Sequence, residues 1–319
     1  LNIVRHLFSF VMCLAVVALV VTAVRRATNA STQQTLVRSL DVAAAGLGLM
    51  LFFGLQYFSP SLSHFPSDLI LVGYLACVLL FDFSRWSLLR LAGIHGAFGV
   101  LTAYFEFLTG GIPLGLSLIF IGFAAHGLRD PNYNALARAL GSAAAFIAGV
   151  VGAFVTKLAM TVAIFGPAVI TEFLQGLARR TVGDESTGSV YPWDAARAIA
   201  IGAYDVGSGW WALGFLMLAA SSLIFVYTLF RVWQTRKSGA PDSRIILLIL
   251  GALSVYLWWA VFSQHTVQHF FFMARIGVGP IIASALLAAT MFHKPLVASL
   301  RHALRFGPPA PKLQEEQPS

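Results

Sequence analysis

The chain has 319 residues, of which 58% are hydrophobic and only 11% charged, and its mean hydropathy is +0.79. A soluble domain carries roughly 25% charged residues, so this chain lacks the charge needed to cover a water-facing surface. That excludes a soluble globular protein, a disordered chain and an outer-membrane barrel, and it leaves an all-α polytopic bundle of transmembrane helices.

In chain order, stretches of about 20 apolar residues, the length that crosses a bilayer core, predict nine spans. They lie near 7–24, 42–58, 68–83, 91–109, 112–128, 141–157, 210–230, 245–262 and 276–292. The first is long for a signal-peptide core and lacks a small-residue cleavage site, so it reads as a span. The third is short, and the fourth and fifth nearly fuse into a hairpin at Gly110 and Gly111. Cys13 and Cys77 sit within apolar runs and form neither a disulfide framework nor a metal knuckle.

Net charge is +8, but in a membrane protein the placement of charge matters more than its sum. The segments 25–41, 84–90, 129–140, 231–244 and 293–319 hold fifteen of the 21 basic residues. The positive-inside rule therefore puts these segments and the C-terminus in the cytoplasm of a bacterial inner-membrane protein, with the N-terminus outside. An outside N-terminus without a signal, on a chain that opens at Leu1, is accounted for by a non-standard start or by a missing upstream segment. Residues 1–292 form the bundle. Residues 293–319 form a cytoplasmic tail whose end, from Gly307 to Ser319, is polar, proline-rich and disordered.

The extracytoplasmic segment 157–209 is long for a connection inside a bundle. Residues 158–178 stay apolar, are broken at Gly166-Pro167, and finish in Arg179-Arg180. After a flexible stretch, Tyr191-Pro192-Trp193-Asp194 opens another run. The pattern predicts two amphipathic helices in the membrane interface, with Tyr and Trp at headgroup depth. Four of the six outside basic residues fall in this loop, a distribution that suits either a loop gripping an anionic substrate or a lid touching lipid phosphates.

Glu106 stands at the outer end of the fourth span in Phe105-Glu106-Phe107-Leu108-Thr109-Gly110-Gly111. A carboxylate so near hydrocarbon is costly, and the following turn holds it in place. It acts either as a functional acid or as an interfacial partner of Lys157 or an outside arginine. His265 and His269 are four residues apart, and on a helix they share a face. Metal binding of the zinc-protease kind requires Glu beside the first histidine, where this chain has Thr266, so no metal is assigned. Hydrogen bonding to a phosphate or a sugar hydroxyl, with Arg275 close by, is the functional alternative to histidines filling a rim. His95 and His126 read as packing groups. There is no Walker loop, dinucleotide fingerprint, nucleophile elbow or CxxC. No cofactor can be named, and nucleic acid is not an expected partner.

The loop 158–208, Glu106 in FEFLTGG, Lys157 at a span exit and the run QHTVQHFFFMAR together resemble the GT-C superfamily of polytopic glycosyltransferases. The resemblance is architectural. It implies a donor sugar carried on a polyprenyl phosphate and used at the extracytoplasmic face. Glu106 is then the catalytic base on the acceptor hydroxyl. Lys157, Arg179, Arg180 and Arg275 clamp the leaving phosphate, and His265 and His269 orient the donor. The superfamily carries its key acid in a first extracytoplasmic loop after an N-terminal span, and this chain has no such loop. The rival class is a non-enzymatic protein, either a lipid-binding scaffold or a transporter-like subunit. Transporters place ionisable residues at the bilayer midplane, where this chain has few. A shared site requires Glu106 within about 10–12 Å of the His265–His269 face, roughly one helix diameter.

Overall fold

Helix boundaries follow local capping chemistry wherever a polar residue meets an apolar run. The computed structural model describes residues 70–71, 73–74, 77, 81, 83, 86–105, 110–127, 134–183, 188–206, 211–235, 242–288 and 290–291, and among them there are helices and no strands. The helices are α1 (Leu88–Phe105), α2 (Gly111–Gly127), α3 (Ala135–Phe165), α4 (Ala168–Val182), α5 (Pro192–Val206), α6 (Trp211–Thr235), α7 (Ser243–Val261), α8 (Ser263–Gln268) and α9 (Phe270–Ala274). The apolar helix α10 (Arg275–Ala288) completes them and opens with a 3-10 turn, Arg275–Gly277.

Asn134 caps α3 by accepting from the Ala137 N–H at 3.1 Å, and Asp242 caps α7 through the Arg244 N–H at 3.0 Å. Such side-chain acceptors satisfy donors that a helix start leaves open. Pro192 begins α5 at the position where a missing N–H is harmless, while Asp194 reaches back to the Tyr191 N–H at 2.9 Å.

α1, α3, α7 and the Phe215–Thr235 part of α6 are long and apolar enough to cross a membrane, and Gly111–Ala125 of α2 and α10 are shorter apolar helices. Four of the six spans expected from residue 91 onward thus overlap helices long enough to cross, and those expected at 112–128 and 276–292 overlap the two shorter apolar helices. The spans expected at 7–24 and 42–58 lie outside the described residues, as does most of the one at 68–83. One boundary differs clearly from expectation: the span placed at 141–157 belongs to a 31-residue helix ending at Phe165. Lys157 does not end it, because the ammonium reaches the backbone of a neighbouring helix. The break comes at Gly166, whose φ of 87° suits glycine and whose N–H closes on Val162 O at 2.8 Å, with Pro167 following.

α1 and α3 run parallel and pack backbone against backbone. A Cβ on Gly99 would lie 2.1 Å from Phe146 O, and one on Gly149 would lie 2.1 Å from Gly96 O. Close approach through small residues is how helices associate where lipid removes the hydrophobic drive between them. Each end of the pair is tied by a cation from α3. Arg138 Nη1 donates to Trp86 O at 2.7 Å. Lys157 Nζ donates to Ala103 O at 2.8 Å and Tyr104 O at 2.6 Å. The two cations are nineteen residues apart on α3, a rise of about 28 Å that matches a hydrocarbon core of roughly 30 Å.

α7 and α10 pack against α2. Gly251 of α7 and Gly279 of α10 both approach Ser117, while Ser284 Oγ donates to Ser221 O at 2.9 Å across α10 and α6. His95 is fully buried, as its reading as a packing group requires. Its Nδ1 donates to Leu91 O at 2.7 Å, so the neutral ring accepts at Nε2 from the Tyr74 hydroxyl at 2.8 Å.

Candidate functional site

Residues from several helices meet at one end of the bundle. Gly110, with φ of 104°, directly precedes α2, and a Cβ there would lie 2.6 Å from Ile276 Cγ2 at the start of α10. Lys157 marks the same end of α3 by its bonds to the last turn of α1. α4 and α5 pack against α8, and α5 also packs against α9. α4 and α5 both lie within 158–208, the stretch read as a loop with two amphipathic helices, but residues 158–165 of the first expected run belong to α3. α4 exposes Ile170, Phe173, Leu174 and Leu177, and α5 buries Ala195, Ala198 and Ile199 on one face.

The chain between α7 and α10 is kinked at Phe262 and at His269, with backbone angles of −99°/48° and −121°/35°. Neither kink contains glycine or proline. Helical bonds continue through both, from Phe262 N–H to Trp258 O, Thr266 N–H to Phe262 O, His269 N–H to His265 O and Met273 N–H to His269 O. The kinks coincide with tertiary ties. Ser263 Oγ donates to Thr181 O at 2.9 Å and also lies 3.3 Å from Val190 O, which pins α8 to the end of α4 and the entry to α5. Trp259 Nε1 donates to Met273 O at 3.1 Å and joins α7 to α9.

Four consecutive polar residues, Ser263, Gln264, His265 and Thr266, are all buried. A six-residue helix that hides four side chains in a row is enclosed on several sides. The His265 and His269 rings lie 4.7 Å apart, as the four-residue spacing predicts. Arg180, half-buried at the end of α4, acts on the same group. The His269 pKa lies below the usual histidine value, first because burial disfavours the imidazolium and then because of the Arg180 charge. Loss of hydration and a like charge both favour the neutral ring.

The expected site residues therefore divide. Arg180, His265 and His269 come together. Arg275 is buried in the turn that opens α10, beside Ile276, on which Gly110 packs. Arg179 is exposed in the last turn of α4, where a cation also complements the helix dipole. Lys157 has its ammonium on two α1 carbonyls and 5.0 Å from the centre of the Tyr104 ring. Glu106 lies outside the described residues, and with it the test of the 10–12 Å distance. Among the described residues no three His, Cys, Asp or Glu side chains gather as metal ligands.

The sequence reading included Gln264 and Thr266 in the histidine run without giving them, or Ser263, a role. Their signal was an uninterrupted polar run between Phe262 and Val267 inside an otherwise apolar stretch. The all-helical architecture and its several apolar helices fit an integral membrane protein in contact with lipid. No protein-family model matches the chain, and no curated protein or solved structure matches it.

Proposed function

We propose that this protein binds a lipid phosphate at the extracytoplasmic rim of a bacterial inner membrane and, as in GT-C glycosyltransferases, transfers the sugar that the phosphate carries. The observation behind this reading is the grouping of Arg180 with His269 and His265 on a buried polar segment beneath α4 and α5. The orientation is that of the positive-inside rule. In the reaction, an acceptor hydroxyl oxygen attacks the anomeric carbon and the bond from that carbon to the phosphate oxygen breaks. The lipid phosphate leaves with the bonding electrons, and the hydroxyl proton passes to the Glu106 carboxylate. Arg180, Arg179 and Arg275 neutralise the negative charge that grows on the phosphate. Lys157 holds the helix end that leads to Glu106.

The test uses the full chain in nanodiscs. Polyprenyl phosphate should raise its melting temperature, uncharged polyprenol should not, and Arg180→Ala should lose most of the difference. With polyprenyl-phosphate-linked sugar and a membrane extract supplying acceptors, the wild type should release polyprenyl phosphate and Glu106→Gln should not. Equal shifts with the phosphate and the alcohol would reject the lipid-phosphate site. Reporter fusions after Pro241 and Pro308 should read cytoplasmic, and one at Ser186 extracytoplasmic. A cytoplasmic signal at Ser186 would put the site on the wrong face.

A second reading, a lipid-binding scaffold without turnover, draws on Lys157, an expected phosphate clamp whose ammonium is bonded to α1 carbonyls. Binding that persists with no donor consumed, in wild type and Glu106→Gln alike, selects it.

A further inference from the structure

We propose that the start of the α1–α3 seam binds an anionic phospholipid, with its phosphate on Arg90 and an acyl chain along the exposed face of α1. Lys157 marks the candidate-site end of α3 and Arg138 the other end, so this second site lies in the opposite leaflet and is independent of the lipid-phosphate reading. Trp86 organises it. The Arg90 guanidinium lies 4.2 Å from the centre of the Trp86 ring, and Arg138 Nη1 donates to the Trp86 carbonyl oxygen at 2.7 Å. Phe83, almost fully buried, packs against the same indole with ring centres 4.9 Å apart. Guanidiniums from two neighbouring helices thus meet on one anchored tryptophan, the residue that favours the membrane interface.

Arg90 is exposed. Its backbone N–H is met by Ser87 Oγ at 3.3 Å, and among the described residues no carboxylate pairs with its guanidinium. An arginine over an aromatic face keeps a rigid fork of donors that fits a phosphate bidentately. The surrounding charge selects the headgroup. The segments 84–90 and 129–140 hold four arginines against one aspartate. A zwitterionic headgroup brings its ammonium among like charges, and a headgroup of net negative charge does not.

The helix face below Arg90 fits the rest of a lipid. Ile94, Ala97 and Leu101, four, seven and eleven residues further along α1, are all exposed and share the face of Arg90. From Arg90 to Leu101 the helix rises about 16 Å, close to one leaflet of a hydrocarbon core of roughly 30 Å. A phosphate-binding fork with an apolar face one leaflet deep beneath it matches a phospholipid, whereas a soluble anion makes no use of that face.

The full chain in detergent is titrated with phosphatidylglycerol, phosphatidic acid and phosphatidylcholine of the same acyl chains, and bound lipid is counted by native mass spectrometry. Both anionic lipids should bind more tightly than the zwitterion by about fivefold or more, the scale for one arginine facing an anionic headgroup. Arg90→Gln should erase most of that preference, Arg90→Lys should restore part of it, and Arg180→Ala at the other end should leave it in place. Equal binding of the three lipids overturns the proposal, as does a preference that survives Arg90→Gln or one that Arg180→Ala abolishes. Ile94→Gln, which keeps every arginine, should also weaken the anionic lipids, and undiminished binding there overturns the seating of the chain on α1. The wild-type comparison needs no variant, so a misfolded substitution does not blunt the test.

Discussion

The α1–α3 seam and the α8 segment beneath α4 and α5 are both closed to solvent but are built from opposite materials. The seam is made of Gly96, Gly99 and Gly149, with backbones in contact and a cation tied to a carbonyl at each end. The α8 segment buries a serine, a glutamine, a histidine and a threonine in sequence, and it leaves an amide oxygen and a hydroxyl without partners. The seam also buries the hydroxyls of Thr102 and Ser142 without partners, but these are isolated among apolar and glycine contacts. Where unmet polar atoms persist beside a pair of histidines and an arginine, the arrangement costs stability, and function is the usual reason for keeping it.

The comparison breaks first at the seam, where the largest effect is expected. Gly99→Ala puts a methyl group 2.1 Å from Phe146 O, and relief requires the two helices to separate. Overpacking of this kind costs roughly 1–3 kcal/mol. Gly152→Ala on the same α3 meets nothing within 4 Å and should be neutral, or stabilising by up to about 1 kcal/mol through helix propensity. Thermal unfolding in detergent measures both. If Gly99→Ala is as stable as Gly152→Ala, the backbone contact is not there.

Next in size is Lys157→Met, which keeps the length of the stem and removes the charge. It leaves the Ala103 and Tyr104 carbonyls without their cation and should cost about 1 kcal/mol, the usual scale for a charge at a helix C-terminus. Lys157→Arg should recover most of it. If the loss appears instead in lipid-phosphate affinity at unchanged stability, Lys157 belongs with the site and not with the seam.

Ser263→Ala probes the other region. It removes the bond to Thr181 O and the contact with Val190 O. About 1 kcal/mol should be lost, with the change concentrated in faster hydrogen exchange at the end of α4 and the entry to α5. Uniform exchange across the bundle would show that α8 does not pin these helices locally.

How much was legible in the sequence depended on whether the deciding contact was local. The break at Gly166-Pro167 and the pairing of His265 with His269 were readable because each depends on residues within four positions. The continuation of α3 past Lys157 to Phe165 was not. A lysine in an apolar run suggests a helix end only if it turns out to water, and Lys157 bonds a carbonyl 54 residues away in sequence. The kinks at Phe262 and His269 contain neither glycine nor proline and accompany ties to residues such as Thr181 and Met273, so no local pattern announced them. Arg180 joined the histidines through tertiary packing alone, and Glu106 lies outside the residues that test it.

The smallest expected effect is a pH dependence, and its sign follows from His269. The folded chain holds this ring's pKa below its ordinary value, through burial and then the Arg180 charge, so the unfolded chain takes up the proton more readily. The stability that goes with the neutral ring is therefore full above about pH 6.5 and is lost as pH falls toward the folded value. His265, 4.7 Å away, and the arginines at the end of α4 make a second charge there still less welcome. Melting temperatures of wild type and His269→Gln, measured from pH 8 to pH 5, should run parallel above about pH 6.5 and converge or cross below it as the wild type loses ground. Arg180→Ala should soften the fall by removing the like charge. A gap between wild type and His269→Gln that stays constant down to pH 5 would mean that the ring protonates as easily in the fold as out of it, and the polar segment would then be wetter and more open than its burial requires.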